Sequence, residues 1–465
     1  MFRRFHEQTQ AVVNDSNIAA FPNPPAKRAA GIPSQSARPD GKTAFWLDLK
    51  TRLHEELLDL LNLAAIDKVP EADLRREVGD MVGEILKKDG IALNAKEFTK
   101  IVEEVLYEVL GLGPLEPLLE DPTINDILVN THNQVYVERF GKLEPTTVRF
   151  KDERHLLRII DKIVSAIGRR VDESQPWVDA RLADGSRVNA IVPPCALDGP
   201  LLSIRKFSKV PLTIDMLLDH QALTSEMADL LHAIVAARLN ILISGGTGSG
   251  KTTMLNAASS FISPSERIVT IEDAAELQLQ QPHVARMETR PPNIEGKGAV
   301  TQRDLLRNAL RMRPDRIIVG ETRGSEALDM LQAMNTGHDG SMTTIHANNP
   351  RDAMGRLEQM LMMAGVEFPL RSMRQQIASA INVVIQLERL SDGKRRMTSI
   401  SELTGMEGDV ITMQEIFSFK KAGLDEHGKV QGHFAASGIR PRFMERLKAA
   451  GIELPNQMFS PNNGG

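Results

Sequence analysis

A glycine-rich run in the middle of the chain is the strongest chemical signal in the sequence. Residues 245–252 have the sequence GGTGSGKT, which matches the phosphate-binding pattern G-x-x-x-x-G-K-[ST]. A short apolar stretch, 239–244, precedes the run, and a stretch free of Gly and Pro, 253–258, follows it. The pattern requires a strand before the loop and a helix after it, so these flanks favour a phosphate-binding loop over a bare turn.

The residue types in this loop indicate how it would hold a nucleotide. Glycine lets backbone N–H groups face a phosphate without a Cβ in the way, and the following helix adds the positive end of its dipole. We expect Lys251 to contact the β- and γ-phosphates and the Thr252 hydroxyl to ligate Mg²⁺. The predicted nucleotide-binding residues are Gly245, Gly246, Thr247, Gly248, Ser249, Gly250, Lys251, Thr252 and Thr253.

Carboxylates follow a second apolar stretch, at residues 267–271. Glu272 and Asp273 come directly after it, and Glu276 stands just beyond. Ligands of α/β sheets bind at the carboxyl ends of the strands, where such carboxylates can hold Mg²⁺ through its waters. We therefore predict a metal site formed by Thr252, Glu272 and Asp273, either directly or through water, and a catalytic role for Glu272.

A third apolar stretch, 316–319, is followed by a lone glutamate, Glu321. The position before this glutamate, where many P-loop enzymes have a metal-binding aspartate, is Gly320. A glutamate at this place suits the orientation or deprotonation of an attacking water, so we predict that Glu321 is catalytic. The alternative is an ordinary acidic residue that closes a strand.

Two histidines, His338 and His346, stand eight residues apart in a polar segment at 336–348. The spacing does not favour a metal site, because no third ligand lies at a suitable distance along the chain. An imidazole that senses the γ-phosphate is the better explanation, and His346, at the end of a predicted strand, is the stronger candidate. His338 is more typical of a turn.

Composition excludes several classes of protein. The chain has 465 residues, enough for two or three domains, and its 42% apolar content with 20 Met and 4% aromatic residues predicts aliphatic cores. A net charge of -5 gives no general attraction for nucleic acid or acidic lipid. The single cysteine, Cys195, excludes disulfide scaffolds and Cys-based zinc sites. Without a long apolar run or a signal peptide, a cytoplasmic protein is expected, which touches a membrane only through partners.

From residue 213 to 415, short apolar stretches alternate with helical patterns, which predicts a mostly parallel sheet covered by helices. The expected strands are 239–244, 267–271, 315–319, 341–346 and 382–387. The expected domains are a disordered tail (1–43), a helical module (44–111), an α+β domain (112–207), a linker (208–222), the nucleotide-binding domain (223–420) and a C-terminal tail that frays (421–465). Two alternatives stay open: the basic N-terminal tail is either a solvated segment or a tether to an acidic surface, and the apolar stripes of the helical module pack together or dock a partner.

The four motifs, in this order, resemble those of the type II/type IV secretion ATPase superfamily, over residues 110–415. Three N-terminal segments, 112–119, 126–130 and 181–190, are similar to its CpaF-like branch, which serves tight-adherence (Tad) pili. Many type II exporters have a zinc insertion with paired CxxC motifs. This chain has none, and that difference favours the Tad branch.

This resemblance implies an α/β fold in which a RecA-like P-loop ATPase domain follows a smaller α+β domain and an N-terminal helical module. It also implies a homo-hexameric ring that binds ATP near a neighbouring subunit and hydrolyses it at Lys251, Thr252 and Glu321. N-terminal arginines of such motors neutralise γ-phosphate charge, and the matching residues are Arg187 and Arg205, with Arg181 a weaker match. The alternative for each arginine is a surface salt bridge, worth about 0–1 kcal/mol.

The expected partner is a polytopic platform protein at the inner face of the inner membrane, through which the motor would act on pilin subunits. No nucleic acid is expected. A DNA-linked or conjugation-type motor is an alternative, although the sequence has no basic stripe with interleaved aromatic residues. A regulatory nucleotide-binding ring is a second alternative, disfavoured by Glu321. A small-molecule kinase would leave the histidine segment and the N-terminal domain unexplained.

Overall fold

The computed structural model describes residues 45–46, 49–50, 52–53, 56–57, 71–207, 212–293, 296–365 and 369–461. They belong to two compact units, Met1–Arg52 and Leu53–Gly465. In the first unit the described residues are helical, and Leu49 is buried. The predicted disordered tail, 1–43, lies outside the described residues.

In the second unit, two helices form most of the described part of the predicted helical module. They are α1 (Glu71–Lys88) and α2 (Ala95–Val109), and they pack against each other. Apolar residues at three- and four-residue spacing bury one face of each helix, and Val105 of α2 is fully buried. Asn94 accepts the backbone N–H of Glu97, while Glu97 accepts that of Asn94, so a capping box fixes the start of α2.

An α+β domain follows. Its elements are a 3₁₀ turn (Gly113–Leu115), α3 (Glu116–Glu120), β1 (Ile124–Thr131), β2 (Gln134–Arg139), β3 (Lys142–Pro145), α4 (Glu153–Ala166), β4 (Trp177–Arg181), β5 (Arg187–Ile191) and β6 (Leu201–Arg205). The strands form one antiparallel sheet in the order β3-β2-β1-β6-β5-β4. Ile160 of α4 and Val129 of β1 belong to the same apolar core. The predicted hairpin over 181–190 is confirmed, since Arg181 pairs with Arg187.

The nucleotide-binding domain alternates helices and strands, as predicted. Its elements up to the last parallel strand are α5 (Ile214–Asp219), α6 (Ser225–Ala236), β7 (Ile241–Gly245), α7 (Lys251–Ser259), β8 (Ile268–Glu272), β9 (Val284–Glu288), α8 (Gln302–Ala309), β10 (Arg316–Val319), α9 (Glu326–Asn335), β11 (Met342–Ile345), α10 (Pro350–Met363), α11 (Leu370–Ala380) and β12 (Val383–Arg389). All five predicted strands occur, as β7, β8, β10, β11 and β12. The first helix lies inside the predicted linker, where Leu217 is buried in the domain core, so the described part of that segment is packed.

The parallel strands run in the order β12-β7-β11-β10-β8, with β9 at the edge. If β9 is left out and the other five parallel strands are numbered in chain order, their order across the sheet is 5-1-4-3-2. This is the RecA-like order. The predicted fold class is therefore confirmed. Two apolar cores cover the two faces of this sheet, which explains why its central strands are buried along their whole length.

The prediction that the chain frays after residue 420 is wrong for residues 421–461. The sheet continues through antiparallel strands, and a short helix packs beneath it. These elements are β13 (Arg395–Glu407), β14 (Val410–Leu424), β15 (Val430–Ala436), α12 (Met444–Ala449) and a 3₁₀ turn (Asn456–Phe459). Phe443, Leu447 and Phe459 are buried in the core that includes β7. Their burial depends on non-local packing, whereas the Pro, Asn and Gly residues near the end gave a local signal of disorder.

Candidate active site

The glycine-rich loop joins β7 to α7, as the motif requires. Gly248 and Gly250 adopt positive φ angles of 68° and 94°, which are accessible to glycine at little cost. A Cβ at Gly245 would stand 2.4 Å from the Ser249 hydroxyl oxygen and 2.6 Å from the backbone oxygen of Leu387. Three of the predicted loop glycines are therefore required by conformation or by space, and they leave a narrow backbone loop at the start of a helix.

Lys251 is buried, with 8% of its surface exposed, and its side chain turns back over the loop. Its ammonium donates to the backbone oxygens of Gly245 at 3.1 Å and Gly246 at 3.0 Å. It also lies 3.2 Å from Nε2 of His346. Burial lowers the pKa of Lys251, although the charge of Glu321 opposes that shift. A cation is thus held inside the loop, where a phosphate-binding role needs one.

His346 and Glu321 extend this contact across neighbouring strands. Nε2 of His346 lies 3.3 Å from Oε1 of Glu321. The two residues follow the adjacent parallel strands β11 and β10, while β11 also pairs with the P-loop strand, Ile345 opposite Ser244. Burial and the nearby Lys251 charge lower the pKa of His346, so its imidazole is neutral at pH 7. His338 precedes β11, so it stands at the end of that strand opposite to His346.

An arginine that the sequence analysis missed holds the glutamate. Arg323 Nη2 lies 2.7 Å from Oε2 of Glu321, and its Nη1 lies 3.5 Å from Oδ2 of Asp273. Burial by itself would raise the pKa of Glu321. The hydrogen bond and charge of Arg323, aided by His346 and Lys251, instead hold that pKa below its usual value. The available signal was the spacing, because Arg323 stands two residues beyond a glutamate already singled out.

Glu272 is buried, with 3% of its surface exposed, and its Oε2 accepts the backbone N–H groups of Glu276 at 2.7 Å and Leu277 at 3.0 Å. Its other oxygen has no hydrogen-bond partner among the described residues. A Cβ at position 320 would stand 2.9 Å from Cγ of Glu272, so Gly320 makes room for this side chain. Burial raises the pKa of Glu272 to about 7, although the two backbone hydrogen bonds oppose the shift.

This raised pKa predicts a dependence of stability on pH. The folded chain holds the proton of Glu272 more tightly than the unfolded chain does, so its stabilising effect is present below about pH 4.5 and is lost as pH rises to about 7. The Glu272→Gln variant stays neutral. We expect its free energy of unfolding to rise relative to the parent by roughly 2.5 kcal/mol between about pH 5 and pH 8. Denaturant unfolding of both proteins across this range measures the difference, and parallel pH profiles would contradict the assigned burial effect.

The three predicted arginines of the N-terminal domain differ in their ion-pair partners. Arg187 pairs with Glu276 at 2.9 Å, and Arg181 pairs with Glu288 at 2.9 Å, so both reach the nucleotide-binding domain. Arg205 pairs at 3.1 Å with Asp126 of its own sheet and stays 59% exposed. Its charge nevertheless contributes to lowering the pKa of Lys251. Arg181 and Arg187 therefore contact the nucleotide-binding domain, Arg205 acts on the loop lysine only through its charge, and the catalytic roles of all three stay predictions.

Residues 108–433 match the family model of the type II/IV secretion system protein. The chain belongs to this family. A protein of Mycobacterium tuberculosis that carries the provisional name conjugal transfer protein is 41% identical over 309 residues, which is 65% of this chain and 87% of that protein. Conjugal transfer protein TrbB of Rhizobium radiobacter is 32% identical, covering 62% of this chain and 86% of its own.

Solved structures include related ATPases. The VirB11 ATPase of the Brucella suis type IV secretion system is 29% identical, with a TM-score of 0.34, over 62% of this chain and 95% of that one. The pilus retraction motor PilT is 22% identical, with a TM-score of 0.46, over 65% of this chain and 82% of that one. Among the residues that the structure describes, no helix is long and apolar enough to cross a bilayer.

Members of this secretion ATPase superfamily bind nucleotide, and Mg²⁺ is the ion that usually accompanies it. Thr252, the second residue of α7, is half-buried, Asp273 is exposed beyond β8, and Glu272 has one unpartnered buried oxygen. These hard oxygen donors suit Mg²⁺. Within the described ranges no group of three or more His, Cys, Asp or Glu side chains could hold a metal. The residues therefore fit an ion that keeps most of its water and phosphate ligands, and when bound it would neutralise phosphate charge.

Proposed function

We propose that this chain hydrolyses ATP as a subunit of a ring-shaped secretion motor. The observation that supports this most directly is the chain of contacts from Lys251 through His346 to Glu321. It links the phosphate-binding lysine to a carboxylate at the ends of three adjacent strands. A phosphate-binding loop alone suits any nucleotide-binding protein. A carboxylate held in range of the same lysine adds a group that can activate water.

Each residue has a defined task in this proposal. Lys251 neutralises the β- and γ-phosphates, and the Thr252 hydroxyl is the ligand for Mg²⁺. Glu321 is ionised at neutral pH, because Arg323 lowers its pKa, and so it can orient a water and accept its proton. Glu272 and Asp273 border the ion site.

His346 suits a sensor of nucleotide state. One ring nitrogen, Nε2, faces both the Lys251 ammonium at 3.2 Å and the Glu321 carboxylate at 3.3 Å. A neutral imidazole nitrogen either accepts or donates a hydrogen bond, so it can serve only one of these partners at a time. A phosphate that engages Lys251 would leave His346 free to donate to Glu321. The histidine would thus report phosphate occupancy to the catalytic carboxylate.

Steady-state phosphate release by the purified chain tests the activity, beside light scattering that measures ring size with and without nucleotide. We expect ATP-dependent phosphate release and a homo-hexamer. A chain that binds ATP and forms rings but releases no phosphate would overturn the proposal in favour of a regulatory nucleotide-binding ring.

We further propose that the motor powers Tad pilus assembly through a polytopic inner-membrane platform protein and reaches pilin subunits only indirectly. The similarity of 112–119, 126–130 and 181–190 to the CpaF-like branch supports this assignment. The motor would stand at the cytoplasmic face of that membrane and contact it through the partner.

Membrane association should therefore depend on the platform protein. When both are co-expressed, we expect the chain in the membrane fraction and its release by high salt or alkaline carbonate, because charge and partner contacts hold it. Expressed alone, it should stay in the supernatant. Retention after carbonate treatment would instead indicate a direct anchor and contradict the platform assignment.

A conjugal-transfer motor is the second candidate, favoured by the names of the relatives from Mycobacterium tuberculosis and Rhizobium radiobacter. Such a motor would be coupled to DNA transfer. Deleting the gene distinguishes the two functions, since loss of surface pili with normal plasmid transfer supports the Tad assignment, and the reverse result supports conjugation. Stimulation of ATP hydrolysis by DNA would also favour the second candidate.

A further inference from the structure

Two tight turns from different domains meet beside the phosphate-binding loop. The β2–β3 turn is formed by Phe140 and Gly141, whose φ angles of 49° and 79° fit a two-residue hairpin turn with both central residues in the left-handed region. The β12–β13 turn contains Gly393, at a φ of 86°. A Cβ on Gly393 would stand 3.6 Å from the Phe140 backbone oxygen, and one on Gly141 would stand 3.5 Å from the Gly393 oxygen. The two turns are therefore packed backbone to backbone.

Arginines at the base of the second turn join this contact to the loop. Arg395 Nε donates to the backbone oxygen of Gly248 at 2.8 Å. Its Nη2 lies 3.7 Å from Oε1 of Glu138, on β2. Arg389 lies 3.9 Å from the other oxygen of Glu138 and donates to the backbone oxygen of Gly141. Glu138, with 14% of its side chain exposed, thus stands between two guanidinium groups, one of which holds the loop.

The bond to Gly248 fixes the orientation of a loop peptide. In a trans peptide unit the C=O and the following N–H point in opposite directions. The Arg395 bond therefore also sets the direction of the Ser249 N–H, which lies 3.4 Å from the Gly246 oxygen, a long distance for a hydrogen bond. Backbone N–H groups of this loop are the phosphate ligands expected from the motif. A residue that orients them controls how well the loop is preorganised.

We propose that Arg395 is a positioning residue for the phosphate-binding loop and that Glu138, with Arg389, ties its position to the N-terminal domain. The proposal rests on the proposed function, because it assumes that the loop binds nucleotide. Movement of β2 relative to the loop would change the Glu138–Arg395 distance and, through Gly248, the arrangement of the phosphate ligands. The N-terminal domain would then influence nucleotide affinity by a route separate from Arg187 and Arg205.

Nucleotide affinity and loop dynamics together test this assignment. The variants are Arg395→Gln, Glu138→Gln and the double variant, compared with Lys421→Ala. This control breaks the ion pair of 2.6 Å between Lys421, on β14, and Glu388, on β12. It removes no contact to the phosphate-binding loop. Affinity is measured with a fluorescent ADP, and hydrogen exchange of residues 246–254 is measured without nucleotide. Thermal unfolding shows whether each variant is folded.

We expect Arg395→Gln to weaken ADP binding by about tenfold, or about 1.4 kcal/mol, and to speed exchange in the loop. Glu138→Gln should have a smaller effect of the same kind, and the double variant should resemble Arg395→Gln alone, because the two changes act through one path. Arg395→Lys should recover only part of the affinity. An ammonium keeps the charge but lacks the planar fork that can contact Gly248 and Glu138 together. The Lys421→Ala control should match the parent.

Two results would overturn the proposal: parent-like affinity and exchange in folded Arg395→Gln, or fully additive effects of the two Gln substitutions. If the parent itself binds no nucleotide, the proposed function fails. The exchange experiment still decides the positioning role in that case, because it needs no nucleotide.

Discussion

Replacing Glu321 by Gln should greatly reduce turnover while leaving ATP binding within a few-fold of the parent, whereas replacing Lys251 by Ala should weaken both. Glu321 faces its neighbours through two oxygens, Oε1 toward His346 and Oε2 toward Arg323. An amide can keep the acceptor role of one oxygen but cannot take a proton from water. We therefore expect a loss of about 10²- to 10⁴-fold in turnover.

Lys251 is expected to act in binding as well as in catalysis. Its ammonium is the buried cation of the loop, and the Ala variant removes the side-chain donor that the loop carbonyls of Gly245 and Gly246 share. Nucleotide affinity should fall with turnover, because the contact is made in the bound state and in the transition state alike. Calorimetric titration with ATP beside phosphate release separates the two variants.

A matched control is Glu358→Gln. It makes the same change in a carboxylate that also pairs with an arginine, Arg374 at 2.9 Å, but stands on α10. This variant should bind and hydrolyse ATP like the parent. If Glu321→Gln binds ATP poorly, or keeps turnover near that of the control, the catalytic assignment of Glu321 is wrong.

Local sequence could predict the part of the site that contiguous residues form. The glycine pattern defines the loop, because Gly245, Gly248 and Gly250 each meet a local requirement of φ or space. The apolar stretches before Glu272, Glu321 and His346 predicted strands, and parallel strands place their carboxyl ends at one edge of a sheet. This rule of parallel sheets is enough to expect Glu321 and His346 near Lys251, and the structure has the three side chains in contact.

Local sequence patterns could not predict the contacts that depend on the packing of distant segments. Arg389 and Arg395 follow no recognised motif, and only the hairpin formed by β12 and β13 places them beside the loop. The burial of Glu272 depends on the missing Cβ of Gly320, which directly follows the neighbouring strand β10. Strands β13, β14 and β15 were also missed, because buried and exposed residues do not alternate along them as they do in a half-buried strand.

The second large effect is expected at Arg205. If its guanidinium reaches the γ-phosphate, Arg205→Ala should lower turnover by about 10³-fold or more and leave folding and ring size unchanged. Arg205→Lys should restore little, because a compact ammonium does not replace a planar fork. Domain closure would bring the arginine in, so hydrolysis would be coupled to motion of the N-terminal domain. Steady-state phosphate release beside light scattering provides both measurements.

The pair with Asp126, at 3.1 Å, supplies the competing explanation and also the control. If Arg205 serves only that exposed pair, Arg205→Ala and Asp126→Asn should cause equal and small losses of stability, about 0–1 kcal/mol, with normal turnover. If Arg205 serves the phosphate, Asp126→Asn frees it and turnover should stay normal or rise, while Arg205→Ala remains inactive. Normal turnover in a well-formed Arg205→Ala ring would reject the role. Arg187, which already reaches Glu276 in the nucleotide-binding domain, would then be the arginine to test.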